Sequence, residues 1–186
     1  QKLKIPFDIP FSLINSFTLK TFNYIYFHSQ LKKENTRKTS YEKYLYPLDK
    51  ILYWNRIYGK KGFQQFQCVV PKNNAEYVMK EILCQISKYK IGSFLAVLKQ
   101  TGDIPSPGIL SFPIPGFTLA LDFPQHHKSN KDLFETLDQI VHESHGRLYP
   151  AKDAHMSKQH FQSSYPEWEK VESLRDKALL SRFWER

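Results

Sequence analysis

The chain has 186 residues, 41% hydrophobic and 15% aromatic, which suits one globular domain with or without an appendage and excludes intrinsic disorder. Its formal net charge of +9 favours anionic partners such as nucleic acid, phosphorylated small molecules or acidic lipid headgroups, although a solvated lysine-rich surface accounts for it equally well. Two cysteines, Cys68 and Cys84, cannot by themselves make a disulfide framework or a zinc site, and no apolar run reaches membrane-spanning length.

Both cysteines sit in apolar stretches, so buried free thiols and a reducing, cytoplasmic compartment are expected. The start, Gln1-Lys2-Leu3-Lys4-Ile5-Pro6-Phe7, lacks the apolar core of a signal peptide. A chain that opens on Gln1 reads as part of a longer gene product.

Residues 7–11 form an extended, proline-punctuated lead-in. Asn15 or Ser16 can cap a helix running to about His28. Its rings at Phe17, Phe22, Tyr24 and Phe27 are too many for one stripe, which predicts burial on more than one side. Residues 29–43 are polar and charged and read as a surface loop. Phe63 to Val70 is rich in β-formers and is predicted as a strand, with Phe63, Gln65 and Gln67 on one side and Gln64, Phe66 and Cys68 on the other. Asn73 or Asn74 then caps a helix to Tyr89, with Val78, Ile82, Leu83 and Ile86 at helical spacing. Further strands are predicted at Phe94–Leu98, Ile109–Ile114 and Phe117–Phe123, the first two separated by the Pro/Gly loop 102–108. Ser129 or Asn130 caps a helix carrying Leu133, Leu137, Ile140 and Val141, which stops at Gly146 as its C′ residue. A brief strand Arg147–Tyr149 leads to Pro150-Ala151-Lys152-Asp153, and helices follow near Ser157–Gln162 and Glu167–Leu180. This order predicts an α+β fold: a mainly antiparallel sheet with helices packed on one face, plus a C-terminal helical segment.

No P-loop, Gly-x-Gly-x-x-Gly, Gly-x-Ser-x-Gly or paired-cysteine spacing occurs. The adjacent His126-His127 point to different sides with no third ligand nearby, so no metal site is expected. Three segments carry chemistry. Trp54-Asn55-Arg56-Ile57-Tyr58-Gly59 gathers an indole, an amide, a guanidinium and a phenol, and reads either as a site or as a tight turn with packed rings. Gln65 and Gln67 place two amides on one strand face, lining a polar pocket or facing solvent. Lys152, just past a strand end, is either a surface lysine or a compact cation aimed into a cleft.

The order of short motifs adds a resemblance. Phe22-Asn23, Tyr46-Pro47-Leu48-Asp49, Trp54 to Gly59, Gly62-Phe63, Gln65-Phe66-Gln67, Val69-Val70-Pro71, Ser93 to Lys99, Leu110 to Gly116, Leu121-Asp122-Phe123-Pro124 and Gly146-Arg147-Leu148-Tyr149 to Ala151-Lys152-Asp153 follow one another in a fixed sequence. In that order they resemble the C-terminal half of decaprenylphosphoryl-ribose 2′-oxidase-like flavoproteins of the vanillyl-alcohol-oxidase type, a superfamily that includes the aldonolactone oxidases. The resemblance implies that residues 1–146 form a cap and substrate-binding domain, and that 147–186 return to an N-terminal FAD-binding domain absent from this chain. It implies FAD as cofactor and oxidation of a hydroxyl of a sugar, polyol or prenyl-phosphate-linked pentose.

Carried over by position, Lys152 contacts the flavin ring and the substrate, with Tyr149 and Asp153 beside it on the cofactor. Gln65, Gln67, Lys99, Tyr46, Thr118 and Ala120 border the substrate pocket. Thr118 and Ala120 replace an asparagine and a cysteine of the mycobacterial enzymes. Leu45 and Thr101 stand where aromatic residues are expected, so the substrate is less determined than the redox chemistry. Implied partners are the flavin domain, a sugar-type substrate and a membrane surface at its inner face. The chain alone is expected to be inactive, and its uncovered apolar surface favours homodimers or aggregation. Rival readings are an aldonolactone or alditol oxidase, and a basic α+β nucleic-acid-binding module in which aromatic residues stack bases.

Overall fold

A computed structural model describes residues 3–29, 33–46, 50–125, 127–152 and 155–185. His126, Asp153 and the Pro-Leu-Asp of the 46–49 motif lie outside the described residues.

The centre of the fold is a four-stranded sheet in the order β4-β5-β3-β6, formed by β4 (Ala96–Thr101), β5 (Gly116–Pro124), β3 (Phe63–Pro71) and β6 (Arg147–Leu148). Every neighbouring pair in it is antiparallel. Two helices, α3 (Ala75–Tyr89) and α4 (His127–Glu143), cover one face. The result is an α+β architecture. Alternation along the strands sends Phe66, Cys68, Val70, Leu119, Leu121 and Phe123 to the helix side, where they meet Val78, Ile82, Leu133, Phe134, Leu137 and Val141 in one buried cluster. After β6 the chain remains in that cluster. α5 (Lys158–Ser164), capped by Ser157, contributes Phe161, and Tyr165 donates its hydroxyl to the Leu148 carbonyl at 2.6 Å. Two shorter helices, α6 (Trp168–Leu174) and α7 (Arg182–Glu185), complete the C-terminal region.

Before the sheet the chain is looser. β1 (Leu3–Lys4) pairs in parallel with β2 (Ile51–Leu52). Between them lie α1 (Ser16–His28) and α2 (Tyr41–Leu45). Asn15 caps α1 through its side chain, and Thr18 completes a reciprocal capping box. The burial predicted for α1 is not observed. None of its residues is buried, and Phe17 and Phe27 are each 78% exposed. The rings call for cover, and the described residues supply it on one side only, where Phe22 meets Phe94 with centroids 6.1 Å apart.

Several boundaries also differ. β4 begins at Ala96, two residues later than predicted, because the pairing of Ala96 with Leu121 sets its register. Ile109–Ile114 forms no strand. Pro113 and Pro115 have no N–H to give a ladder, and the segment is tied by side chains instead: Arg147 Nη1 donates to the Ser111 carbonyl at 2.8 Å and Thr101 Oγ1 to the Ile114 carbonyl at 2.5 Å. α4 starts at His127, so Asn130 lies inside the helix instead of capping it, and its buried amide donates to the Pro124 carbonyl at 3.0 Å. The left-handed residue after α4 is His145, at φ 57°, and not Gly146. Gly146 is needed for a different reason: a Cβ there would stand 2.6 Å from the Val69 carbonyl oxygen. The helix predicted over 167–180 stops at Leu174, where Arg175 turns extended and grips Glu172 with two hydrogen bonds of 2.8 Å. Cys68 is buried, but Cys84 is exposed, because it lies on the opposite side of α3 from Ile82.

Candidate functional site

The sheet face turned away from α3 and α4 is built by strand register. β3 and β5 align Gln65 with Asp122, Gln67 with Ala120 and Val69 with Thr118. β4 and β5 align Val97 with Ala120 and Lys99 with Thr118. Directly paired residues share a face, so Gln65, Gln67, Lys99, Thr118 and Ala120 occupy one surface. Lys99 stands on the edge strand β4, exposed, and the glutamines stand two strands away on β3. Thr118 is spoken for in this surface: it is buried and donates its hydroxyl to the Cys68 carbonyl at 2.8 Å.

The opposite edge brings in the lysine. Beyond β6 the Tyr149 N–H donates to the Gln67 carbonyl at 2.9 Å, which extends the pairing by one residue. The Lys152 N–H then donates to the Tyr149 carbonyl at 3.0 Å and closes a turn. That turn folds Lys152 back over the sheet edge. Gln65, Gln67, Tyr149, Lys152 and His155 together line a crevice too narrow to admit a water molecule. Lys152 itself is exposed, and the Tyr149 ring is seated on Phe112 with centroids 4.6 Å apart. Tyr46 stands exposed after α2, and no contact among the described residues ties it to this surface.

Two acidic groups complete the setting, and neither was among the candidate residues read from sequence. Asp122 is fully buried in β5 and accepts a 2.6 Å hydrogen bond from the Gln65 amide. Burial pushes its carboxyl above the ordinary value, against the opposing pulls of the Gln65 hydrogen bond and the Lys152 charge. Its Oδ2 has no hydrogen-bond partner among the described residues. Asp138 on α4 meets His155 Nδ1 at 2.8 Å, and the imidazole stacks on Phe134 at 4.6 Å, which pins the chain three residues past Lys152. The signal for Asp122 was present: a carboxylate within the strand pattern Leu119-Ala120-Leu121-Asp122-Phe123 is an unexplained charge in a core strand.

The Trp54–Gly59 segment is a latch in this structure. Residues Trp54–Tyr58 form one 3₁₀ turn. Arg56 bridges to Asp8 at 2.9 Å, donates to the Ile5 carbonyl at 2.9 Å and lies over the Tyr53 ring at 4.4 Å. Trp54, Tyr58 and Phe63 form a ring cluster beneath it. This is the packed-turn alternative, and it fastens the N-terminal lead-in to the start of β3.

The assembled surface offers two amides, a phenol and two ammonium groups, with hydrogen-bond donors spread across the sheet. Four strands span roughly 15 Å between the outer two, enough for a polyhydroxylated molecule bearing an anionic group at one end. Among the described residues no group of three His, Cys, Asp or Glu side chains could hold a metal ion, and no helix is long and apolar enough to cross a membrane.

No family model matches the chain. It is 35% identical over 174 residues to decaprenylphosphoryl-beta-D-ribose oxidase of Mycolicibacterium smegmatis, covering 92% of this chain and 37% of that protein. It is 27% identical over 115 residues to an uncharacterised protein of Streptomyces coelicolor, covering 62% of this chain and 31% of the relative. The chain therefore spans about a third of the length of these curated relatives.

Proposed function

We propose, for a chain related over nearly its whole length to decaprenylphosphoryl-beta-D-ribose oxidase, that it is the substrate-facing part of a flavin-dependent oxidoreductase acting on a hydroxyl of a sugar-type molecule. The observation that carries this reading is the convergence of Gln65, Gln67, Tyr149 and Lys152 on one crevice at the edge of the polar sheet face. The two glutamines and the Tyr149–Lys152 turn are more than eighty positions apart in the chain.

The donor set suits the ring end of FAD: an exposed ammonium with a phenol and amides beside it matches an edge rich in carbonyl oxygens. The residues that hold the nucleotide end belong, on this reading, to an N-terminal domain outside the chain. A bound flavin would supply the acceptor for hydride from the substrate carbon. Lys152 supplies fixed positive charge at the ring and orients the reacting hydroxyl. Gln65 is held by Asp122 and presents its amide carbonyl oxygen to a substrate O–H, while Gln67 offers a further amide two residues along the same face. Lys99, at the far edge, receives the anionic group of a phosphate-linked sugar. On this reading residues 1–146 act as the cap, and 147–186 carry Lys152 back to the flavin domain.

The test is anaerobic mixing of the complete flavin-containing protein with a phosphate-linked pentose and with unphosphorylated sugars and lactones. Bleaching of the flavin absorption by the phosphate-linked pentose is expected. No bleaching by any hydroxylated substrate would remove the reading. Bleaching by free lactones or alditols alone would replace it with the aldonolactone or alditol oxidase reading.

A further inference from the structure

Asp122 is a charge where the fold has no use for one. It lies in β5 between Leu121 and Phe123, which are packed in the core, and its own side chain is turned to the opposite face. It is fully buried there. Its backbone is fixed as well, because its N–H donates to Ser93 Oγ at 2.8 Å. Among the described residues one hydrogen bond reaches the carboxyl, the 2.6 Å bond from Gln65 Nε2 to Oδ1, while Oδ2 has none. The Tyr58 hydroxyl does not relieve it, being buried and without a hydrogen-bond partner among the described residues. A buried carboxylate with one oxygen unpaired opposes folding. Its use lies in what it does to Gln65.

A carboxylate accepts hydrogen bonds and donates none. It can hold Gln65 only by the amide nitrogen, which leaves the amide oxygen turned the other way. Strand pairing sets the two residues directly opposite each other, so the bond is short and the amide has little room to swing. Gln65 is partly exposed and lines the crevice beside Lys152, whereas Asp122 lies behind it, out of reach of a ligand. The crevice therefore carries, side by side, an amide oxygen that only accepts and an ammonium that only donates.

This pair distinguishes the two ends of the reaction proposed above. Oxidation of an alcohol sends hydride from the carbon to the flavin and the hydroxyl proton to solvent, so an oxygen that enters as a donor leaves as an acceptor alone. Lys152 can donate to either oxygen and does not tell them apart. The Gln65 oxygen accepts from the alcohol but meets the ketone lone pair against lone pair. We propose that Asp122 is a positioning residue that locks the Gln65 amide with its oxygen toward the substrate, so that the site holds the alcohol and expels the ketone. This role rests on the functional reading above, which supplies both ligands.

The experiment uses the complete flavin-containing protein and two complexes that cannot turn over. A water-soluble, short-chain phosphate-linked pentose is titrated into the reduced protein, and its keto form into the oxidised protein. Binding is read from the flavin spectrum and folding from thermal melts. Asp122→Asn keeps the shape but offers Gln65 either an acceptor or a donor, so the amide is free to turn over. It is expected to tighten ketone binding roughly tenfold and to weaken alcohol binding severalfold, with a melting temperature no lower than that of the unaltered protein. Asp122→Ser makes the same double offer from a smaller side chain, and it decides the matter if the asparagine variant fails to fold. The role is ruled out if a folded variant binds both ligands as the unaltered protein does. It is equally ruled out if the variant weakens both to the same extent, as the loss of a merely structural residue would. Where the pentose bleaches the flavin of the unaltered protein, either result removes this role alone. If the unaltered protein binds neither ligand and no hydroxylated compound bleaches its flavin, the functional reading falls and this role falls with it.

Discussion

The two faces of one sheet do different work. On the helix-covered face Phe66, Cys68, Leu119, Leu121 and Phe123 are packed to near-complete burial in one cluster with apolar residues of α3 and α4. On the other face the same two strands present Gln65, Gln67, Ala120 and Asp122. Period-two alternation alone produces this split, and the register of β3 against β5 turns it into a site by lining up residues more than fifty positions apart. The first face answers to stability and the second, on the proposed reading, to binding, and substitutions should separate the two.

The largest stability effect belongs to the packed face. Leu137→Ala on α4 removes a fully buried side chain and is expected to cost about 2–5 kcal/mol in chemical denaturation. A loss below about 1 kcal/mol would mean that the helix layer is not the core described here. On the polar face, Gln67→Ala is expected to leave stability within about 0.5 kcal/mol and to weaken substrate binding about tenfold in the complete protein. Equal effects of the two substitutions on stability would erase the distinction between the faces.

Asp122 tests the boundary between the faces. Burial raises its folded-state pKa above the unfolded value, so ionisation disfavours the fold. Its contribution is most favourable below the unfolded carboxylate pKa. It declines as pH rises from there to the raised folded value, and remains lower above. Asp122→Asn keeps an oxygen to accept from Gln65 and removes the charge. Thermal melts against pH should show that slope flattened and a higher melting temperature at pH 7. An unchanged slope would assign the titration to another group.

The smallest effect is a labelling contrast. Burial pushes the Cys68 thiol up to about 12, whereas Cys84 is exposed. One thiol should react with a thiol reagent in the native protein and two in denaturant. Two fast-reacting thiols in the native protein would place Cys68 outside the packed face.

Much of this division was readable from the sequence. Alternation placed Gln65 and Gln67 opposite Phe66 and Cys68, and helical spacing found Val78 and Ile82 on α3 and Leu133 and Leu137 on α4. The pairing of Ala120 with Gln67 was not readable, because register depends on two strands meeting and not on either alone. The failed strand at Ile109–Ile114 shows the limit of β-propensity where prolines remove ladder donors. The local sequence leaves Lys152 as either a surface lysine or a cation aimed into a cleft. The structure keeps it exposed, yet the turn after β6 brings it to the two glutamines. The rings of α1 demand cover, and the described residues meet that demand on one side only. Asp122 is marked in the sequence by a charge inside a core strand, but its Gln65 partner is not, and the Asp138–His155 pair is hidden because each residue acquires its meaning only from the other.

The central claim is that Lys152 acts with the polar face upon a flavin. Its most direct test is the rate of anaerobic flavin reduction by substrate in the complete protein, compared with Lys152→Ala at equal flavin occupancy. The account predicts a fall of about a hundredfold or more with folding stability unchanged. An unchanged rate would return Lys152 to the protein surface and contradict the site.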